Sequence, residues 1–350
     1  MPRPRELVEA QQRFAEGAID RQALAAVQDR ALRETIAALE ATGSPVITDG
    51  EQTKPSFITY PLAGLPLAPD GVEIRFEDGH VRQLPRLTGG PFRYGTHADS
   101  YLRAARKMAR LPVKQAVISA SALSLVYPPD GLEGYGRDAF LDDLVAEAVA
   151  DIRGCLDAGA DSVQIDFTEG RLAAKLDPGG DLLRSFVKLN NRVLDAFGDE
   201  ERGRIGVHTC PGGDQDSTHS ADVDYALLLP DLFALRAGRF YIQLASEPDR
   251  RRVLELIRDH APAGARIFVG VIDPIDPRIE TPEEVRDSVL EAADFIPPDR
   301  LGTTDDCGFS PFGDDTSTAR ETAFRKIAAR VSGTELAAAA LGGGTAASDS

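Results

Sequence analysis

The residues best suited to chemistry lie in the stretch GVHTCPGGD at positions 206–214, where one residue separates His208 from Cys210. The whole chain has only five His and three Cys. The apolar run that leads into this stretch predicts a buried strand. Side chains at positions i and i+2 of a strand point to the same side. We therefore expect the His208 imidazole and the Cys210 thiol to face one point.

A third candidate ligand is Cys307, which lies in TDDCG at positions 304–308, after a later strand-like segment. Catalytic zinc takes a few N, S and O ligands and keeps one position open. His208, Cys210 and Cys307 would supply one nitrogen and two sulfurs. The alternative is that both cysteines are buried structural thiols and His208 is a hydrogen-bonded core histidine. The combination of His-x-Cys with a second strand-end cysteine favours Zn²⁺.

Strand-like and helix-like segments alternate along most of the chain. This pattern predicts a parallel sheet with right-handed crossovers, and eight such units would close a (β/α)8 TIM barrel. We predict this α/β fold, with an open doubly wound sheet as the alternative; the eighth strand would precede PRPREL at positions 2–7. The predicted strands cover residues 46–48, 113–119, 162–167, 204–209, 240–245, 266–273 and 301–306.

Polar residues follow nearly all of these strands, at the edge where α/β barrels build their sites. We expect most of them to converge on one site. They are Asp49, Glu51, Asp166, His208, Cys210, Gln243, Asp273, Asp305, Asp306 and Cys307.

The rest of the chain is predicted to support a single domain at residues 1–336. Residues 5–41 and 221–235 read as helices. Residues 61–94 are rich in Pro and Gly and carry a β-hairpin signal with Asp78-Gly79 at its turn, which indicates an insertion in the barrel. The low-complexity segment 337–350 is expected to be a disordered tail.

The composition and net charge of the chain argue against some classes of binding partner. The 350 residues carry a formal net charge of −17, which argues against nucleic acid and against an anionic membrane surface. No apolar run could span a bilayer, no signal peptide opens the chain, and three Cys make no disulfide framework. We expect a cytoplasmic protein that acts on small molecules; a homo-oligomer is compatible with the sequence.

The strand ends resemble those of the catalytic barrel of the cobalamin-independent methionine synthase family. The similarity covers residues 1–336, and HTC followed by DCG is its most specific part. The motifs that carry it are ITDGEQTKPSF at 47–57, VQIDFTEG at 163–170, GVHTC at 206–210, GVIDP at 270–274 with ET at 280–281, and TTDDCGF at 303–309.

The resemblance implies that His208, Cys210 and Cys307 are zinc ligands. It also implies that Glu51 and Asp166 hold the amino group of homocysteine. The family's fourth ligand is a Glu; here Gln243 stands in its place, with Glu247 one turn further on. Three alternatives are open: Gln243 binds the metal weakly, Glu247 binds it instead, or the site has three protein ligands.

Asp273 and Asp306 match catalytic positions by the same resemblance. Two features differ from the family. Ile275 replaces the His of an Asp-x-His pair, and residues 119–129 lack the folate-contacting Gly-Pro-Val-Thr signature.

The favoured function is therefore a zinc-dependent methyltransferase that activates homocysteine or a similar thiol as a thiolate. The methyl donor could be a folate, a methylcorrinoid or another small carrier. The alternative is another zinc-dependent thiol alkyltransferase, similar to the epoxyalkane:coenzyme M transferases. Such an enzyme would need Lys54, Arg171 or Lys175 to bind a sulfonate. A third hypothesis, from another class, is a metal-free barrel that binds a ligand without catalysis.

Overall fold

The computed structural model describes residues 1–343 as a mixed α/β protein built on one parallel sheet. The strands are β1 (Leu67–Ala68), β2 (Glu73–Arg75), β3 (Val81–Gln83), β4 (Arg86–Leu87), β5 (Gln115–Ile118), β6 (Val163–Asp166), β7 (Ile205–Thr209), β8 (Gly213–Asp214), β9 (Ser217–Thr218), β10 (Arg239–Ile242), β11 (Arg266–Ile272) and β12 (Leu301–Asp305).

The main sheet has six parallel strands in the order β12-β11-β10-β7-β6-β5. The predicted strand at 46–48 is reduced to a single parallel bridge between Ile47 and Val113, beside the start of β5. Apart from this shortened segment, the predicted strands are confirmed. Within residues 1–343, no strand pairs with the free edge of β12, so the sheet has a seam between β12 and the segment 46–48.

Arg3 joins the two sides of this seam at the C-terminal end of the strands. Its guanidinium donates to the carbonyl oxygen of Phe312 at 2.9 Å on one side. On the other side it donates to the carbonyl oxygens of Glu51 at 3.0 Å and Lys54 at 3.1 Å.

Helices cover the outer face of the sheet. They are α1 (Arg5–Ala15), α2 (Arg21–Ala41), α3 (Asp99–Arg106), α4 (Ala120–Ser124), α5 (Arg137–Asp157), α6 (Glu169–Leu176), α7 (Asp181–Leu194), α8 (Asp199–Arg202), α9 (Leu229–Leu232), α10 (Arg250–His260), α11 (Pro282–Ala293) and α12 (Arg320–Gly343), with 3₁₀ turns at Tyr60–Leu62 and Tyr225–Leu227.

Two helix predictions are wrong in detail. Residues 5–41 form two helices, because Gly17 adopts a φ of +72° and Asp20 caps a new helix by accepting from the Ala23 amide. Residues 221–235 contain only a 3₁₀ turn and the short α9. The carbonyl oxygens of Ala221 and Val223 there accept from the Arg171 guanidinium.

The predicted hairpin is confirmed within the insertion. Strands β2 and β3 pair antiparallel around a turn in which Gly79 has a φ of +94°. The hairpin docks on a second, smaller one formed by β8 and β9. The Glu77 amide donates to the Thr218 carbonyl oxygen at 2.9 Å, and the Asp78 amide donates to Ser217 Oγ at 3.3 Å.

The last helix is longer than expected, because α12 continues to Gly343. Residues 337–343 of the expected disordered tail are therefore helical, and residues 344–350 lie outside the described part of the chain. No helix within residues 1–343 is long and apolar enough to cross a membrane.

Successive side chains along each strand point alternately to the apolar core and to the barrel interior. Ile165, Val207 and Phe240 are buried in the apolar core. Their neighbours Gln164, His208 and Tyr241 line an interior cavity instead. This two-residue period therefore places polar side chains inside the sheet, where the site is built.

Candidate metal centre

His208, Cys210 and Cys307 come together at the C-terminal ends of the strands. His208 lies in β7, Cys210 follows that strand, and Cys307 follows β12. One ligand atom from each lies within 4.8 Å of the other two. The two sulfur atoms are 3.0 Å apart, and both cysteines are free. The predicted convergence of these three residues is therefore present in the structure.

The contact between the two thiols shifts their pKa values in opposite directions. The hydrogen bond from Cys210, aided by His208, lowers the pKa of Cys307 well below its ordinary value. The same hydrogen bond and burial raise the pKa of Cys210. The Gly212 amide also donates to Cys210 Sγ at 3.4 Å. One imidazole nitrogen and two sulfurs, one of them already favoured as a thiolate, form a donor set that fits Zn²⁺.

The two candidates for a fourth ligand are held by Arg171, which is fully buried on α6. Its Nη1 donates to Gln243 Oε1 and to Glu247 Oε1, each at 2.8 Å. Tyr225 Oη donates to the same Gln243 oxygen at 2.7 Å. Glu247 does not belong to the cluster of ligand atoms found among the described residues. A metal-binding role for either residue stays a prediction.

A cavity of about 1730 Å³ opens at this centre and extends along the barrel interior. His208 and Cys307 line its upper end, together with Glu51 and Asp166. Lys114, Gln164, Arg239 and Arg266, nearer the starts of their strands, line its lower end. The metal centre therefore faces a space large enough for a small-molecule substrate.

Asp166 is the carboxylate best placed to receive a cation. It ends β6 opposite His208 on β7, and Gln164 Nε2 donates to its Oδ1 at 2.7 Å. Burial raises the pKa of Asp166 to about 6. A cation placed beside it would favour the charged carboxylate.

Glu51 faces the same cavity but already has a partner. Lys54 Nζ donates to Glu51 Oε1 at 2.8 Å and to the Ala116 carbonyl oxygen at 2.9 Å. Burial opposes both charges, yet the ion pair lowers the pKa of Glu51 and raises that of Lys54. Glu51 also has a φ of 55°, a strained conformation for a residue with a side chain. Its expected contact with substrate stays a prediction.

The two residues expected to be catalytic are engaged in local structure. Asp306 accepts from the amides of residues 244–246 and from Ser246 Oγ, all at 2.8 or 2.9 Å. Asp273 Oδ1 accepts from the Ile275 amide at 2.9 Å, and its own amide donates to Glu280. These contacts hold the loops after β10 and β11 in place, and a catalytic role for either residue stays a prediction.

His219 lines the cavity. From the sequence, it could either lie in a turn that caps a helix or contact substrate. Nδ1 of His219 lies 2.9 Å from Ser220 Oγ, which in turn lies 3.1 Å from the Pro211 carbonyl oxygen. Burial lowers the pKa of His219 to about 4, which keeps the ring neutral. Nothing in the spacing of residues 217–221 signals this arrangement.

Charged side chains fasten the two hairpins over the mouth of the cavity. The fully buried Asp214 carboxylate accepts from the Arg82 guanidinium and lies 3.1 Å from His80 Nε2. Arg82 also donates to Asp314 at 2.8 Å and lies over the Phe312 ring. Strand β8 begins three residues after Cys210. The network therefore connects the two hairpins directly to the segment that carries Cys210.

Comparisons with known proteins agree with this geometry. The family model described as "Cobalamin-independent synthase, Catalytic domain" matches residues 136–330, which is more than half of the chain. The methionine synthase of Saccharolobus islandicus (strain Y.G.57.14 / Yellowstone #1) is 24% identical over 194 residues, which cover 55% of this chain and 49% of that protein. The Saccharolobus solfataricus (strain ATCC 35092 / DSM 1617 / JCM 11322 / P2) methionine synthase is 23% identical over 194 residues, with the same coverage. The chain thus spans about half the length of the curated relatives it matches.

Two solved structures resemble the whole chain. One is a B12-independent methionine synthase from Shewanella sp. W3-18-1 in complex with selenomethionine, with a TM-score of 0.74, 20% identity, and coverage of 93% of this chain and 91% of that one. The other is a putative vitamin-B12 independent methionine synthase from Listeria monocytogenes, with a TM-score of 0.71, 18% identity, and coverage of 96% and 95%. These likenesses show the fold and confirm the predicted TIM-barrel class.

Proposed function

Because the chain belongs to the family of cobalamin-independent synthase catalytic domains, we propose that it is a zinc-dependent methyltransferase that methylates a thiol, homocysteine or a close analogue. The observation that carries the proposal is the cluster of His208, Cys210 and Cys307 at the mouth of the interior cavity. A zinc ion bound there supplies a Lewis acid that lets a thiol lose its proton at neutral pH.

The residues of this chain would then orient the two reactants. Two cysteine ligands contribute negative charge, which keeps a bound sulfur nucleophilic. Asp166, on the neighbouring strand, is placed to hold the ammonium group of an amino-acid thiol. The cavity walls and the hairpin cover exclude water and fix the direction from which a methyl carbon can approach the sulfur.

A methylfolate is the favoured methyl donor. The family is described as cobalamin-independent, which is at odds with the methylcorrinoid that the sequence left open. The lower cavity is lined by polar and aromatic side chains, among them Gln164, Tyr241 and Phe268. Such a lining is compatible with a flat heterocycle.

The environment of the basic residues disfavours a sulfonate-bearing thiol. Lys54 is ion-paired with Glu51, and Arg171 is ion-paired with Glu247. Lys175 is ion-paired with Asp222 and donates to the His219 carbonyl oxygen. All three cations expected for a coenzyme M type of substrate are therefore neutralised. Within residues 1–343, the Asp166 carboxylate in contrast accepts only from a neutral amide, that of Gln164.

Metal content is the first test of the proposal. Elemental analysis of protein purified without chelator should find one zinc per chain. Cys210→Ser should lose that zinc, because it removes one of the three ligands. Cys155→Ser is the matched control, since Cys155 is buried on α5 away from the cluster. Absence of zinc from the wild-type protein would reject the proposal and favour a metal-free barrel.

Substrate selectivity tests the role of Asp166. Wild-type enzyme should prefer homocysteine over its deaminated analogue 4-mercaptobutyrate, because only homocysteine carries an ammonium group. Asp166→Asn should raise the KM for homocysteine by about 10- to 100-fold, consistent with loss of a charged hydrogen bond. It should leave the KM for 4-mercaptobutyrate nearly unchanged. Equal losses for both thiols would assign Asp166 to the scaffold.

A further inference from the structure

We propose that His208, Cys210 and Cys307 are the complete set of protein ligands to the metal. Arg171 holds the two residues that could add a fourth, Gln243 and Glu247, away from it. The inference rests on the proposed function and deepens it. It assigns the remaining position to an exchangeable ligand from solvent, which the substrate thiol replaces.

Gln243 has no lone pair left for a metal. Its Oε1 accepts from Arg171 Nη1 at 2.8 Å and from Tyr225 Oη at 2.7 Å, which uses both lone pairs of an amide oxygen. Its Nε2 donates to Ser246 Oγ at 2.6 Å. The amide cannot be turned around, because a guanidinium only donates and so requires the oxygen on its side.

Glu247 is needed as the counter-charge of Arg171. The Arg171 side chain is 1% exposed, and Glu247 is the carboxylate within ion-pair distance of it, at 2.8 Å. If Glu247 moved to the metal, it would leave a buried guanidinium without a counter-charge, which is strongly unfavourable. The ion pair therefore opposes coordination by Glu247.

Arg171 cannot follow either residue toward the metal. Its Nη2 donates to the carbonyl oxygens of Ala221 at 3.0 Å and Val223 at 2.7 Å. Its guanidinium also lies over the Tyr225 ring, 4.3 Å from the centroid. These contacts fix the guanidinium on the side of Gln243 and Glu247, so Arg171 is a positioning residue for the metal centre.

A three-ligand centre has a definite chemical consequence. A zinc ion held by three protein ligands would keep one position for solvent or substrate. A thiol that bound there would replace a solvent ligand and release its proton to the buffer. Neither Gln243 nor Glu247 would have to join or leave the metal.

X-ray absorption at the zinc edge tests this ligand count directly. The probe is zinc-loaded wild-type protein, first without thiol and then saturated with 2-mercaptoethanol, which needs no substrate-recognition groups. The expected first shell changes from two sulfurs and two light atoms to three sulfurs and one light atom. A light atom that persists beyond the His208 nitrogen in the thiol complex would overturn the inference.

Variants provide a second, independent measurement. Gln243→Leu and Glu247→Gln should keep the wild-type first shell and a zinc Kd within about tenfold of wild type, the scale of mild outer-shell effects. Cys307→Ser should lose one sulfur and weaken zinc binding by more than about 100-fold, beyond that scale. Loss of a light-atom ligand in Gln243→Leu or Glu247→Gln would also overturn the inference that the metal has three protein ligands.

The outcomes separate this inference from the proposed function. Wild-type protein that binds no zinc contradicts the proposed function itself. Wild-type protein that binds zinc through four protein ligands contradicts only the three-ligand centre. The wild-type measurement does not depend on whether any variant folds.

Discussion

Glu169 is a buried carboxylate that the proposed chemistry does not use. It is the first residue of α6, and its Oε1 accepts from Ser119 Oγ at 2.5 Å and from Ser121 Oγ. Asn190 Nδ2 donates to the same Ser121 hydroxyl at 2.6 Å. The second oxygen of Glu169 has no hydrogen-bond partner in the described part of the chain. Burial raises the pKa of Glu169 from its ordinary value of 4.5 to about 7.

We expect this group to make stability depend on pH. Its pKa is higher in the folded than in the unfolded protein, so its stabilisation is complete below about pH 4.5 and is lost as pH rises through 7. Glu169→Gln keeps the shape without the charge. It should therefore be more stable than wild type at pH 8, by about 1–3 kcal/mol, and show a smaller difference at pH 5. Urea unfolding at both pH values measures this. A difference that does not change with pH would contradict the expectation.

At the scale of single residues, the sequence predicted the clustering of His208, Cys210 and Cys307 better than it predicted their surroundings. His208 and Cys210 were predictable because the period of a strand is local. The contacts of Gln243 and Glu247 were not predictable, because they depend on Arg171. Arg171 lies 72 residues before Gln243 and 76 before Glu247. A pairing between α6 and the loop after β10 leaves no periodic signal in either segment.

Among the elements, the turn between β8 and β9 carries backbone strain. Its central residues, Gln215 and Asp216, have φ of 48° and 59° and are exposed. Two-residue hairpin turns with positive φ at both positions favour Asn-Gly. The double variant Gln215→Asn/Asp216→Gly should therefore stabilise the protein, by about 1 kcal/mol.

Chemical denaturation of the zinc-loaded protein measures this effect. Gln215→Val is the opposing control, because a β-branched residue is poorly accommodated at positive φ; it should destabilise the protein. Equal stability of the two variants would show that the turn is not strained.

Strands and hairpins were predicted correctly where a sequence pattern determines them. The parallel strands and the β2–β3 hairpin follow from apolar runs and an Asp-Gly turn. The pattern failed at residues 221–235, where carbonyl groups that would continue a helix accept from Arg171 instead. It also failed at residues 5–41. Apolar residues keep helical spacing through this segment, although one helix ends near Gly17 and Asp20 caps the next.

For the molecule as a whole, the proposed metal centre would link distant parts of the sheet. Cys210 follows β7 and Cys307 follows β12, with β10 and β11 between those strands. A ligand that binds only the folded state stabilises it by about 2.7 kcal/mol at a hundredfold excess over Kd. We therefore expect added zinc to raise the Tm of metal-free protein by several degrees.

Calorimetry of metal-free protein with and without zinc measures the shift. In Cys307→Ser, zinc should raise the Tm only slightly, because the variant lacks the ligand that follows β12. A zinc-induced rise of the same size in Cys307→Ser would mean that the metal stabilises the protein from another site.

The seam beside β12 gives the barrel a preferred place to open. In a parallel sheet, alternate backbone amides point to opposite neighbours, and those of β12 that face the seam have no strand to bond within residues 1–343. Deuterium should therefore enter β12 before β6 or β7. Since Cys307 directly follows this strand and Arg3 fastens the seam above it, the fluctuation that admits deuterium would also be the route by which zinc escapes. Metal retention would then be governed by the lifetime of a backbone opening rather than by ligand strength alone.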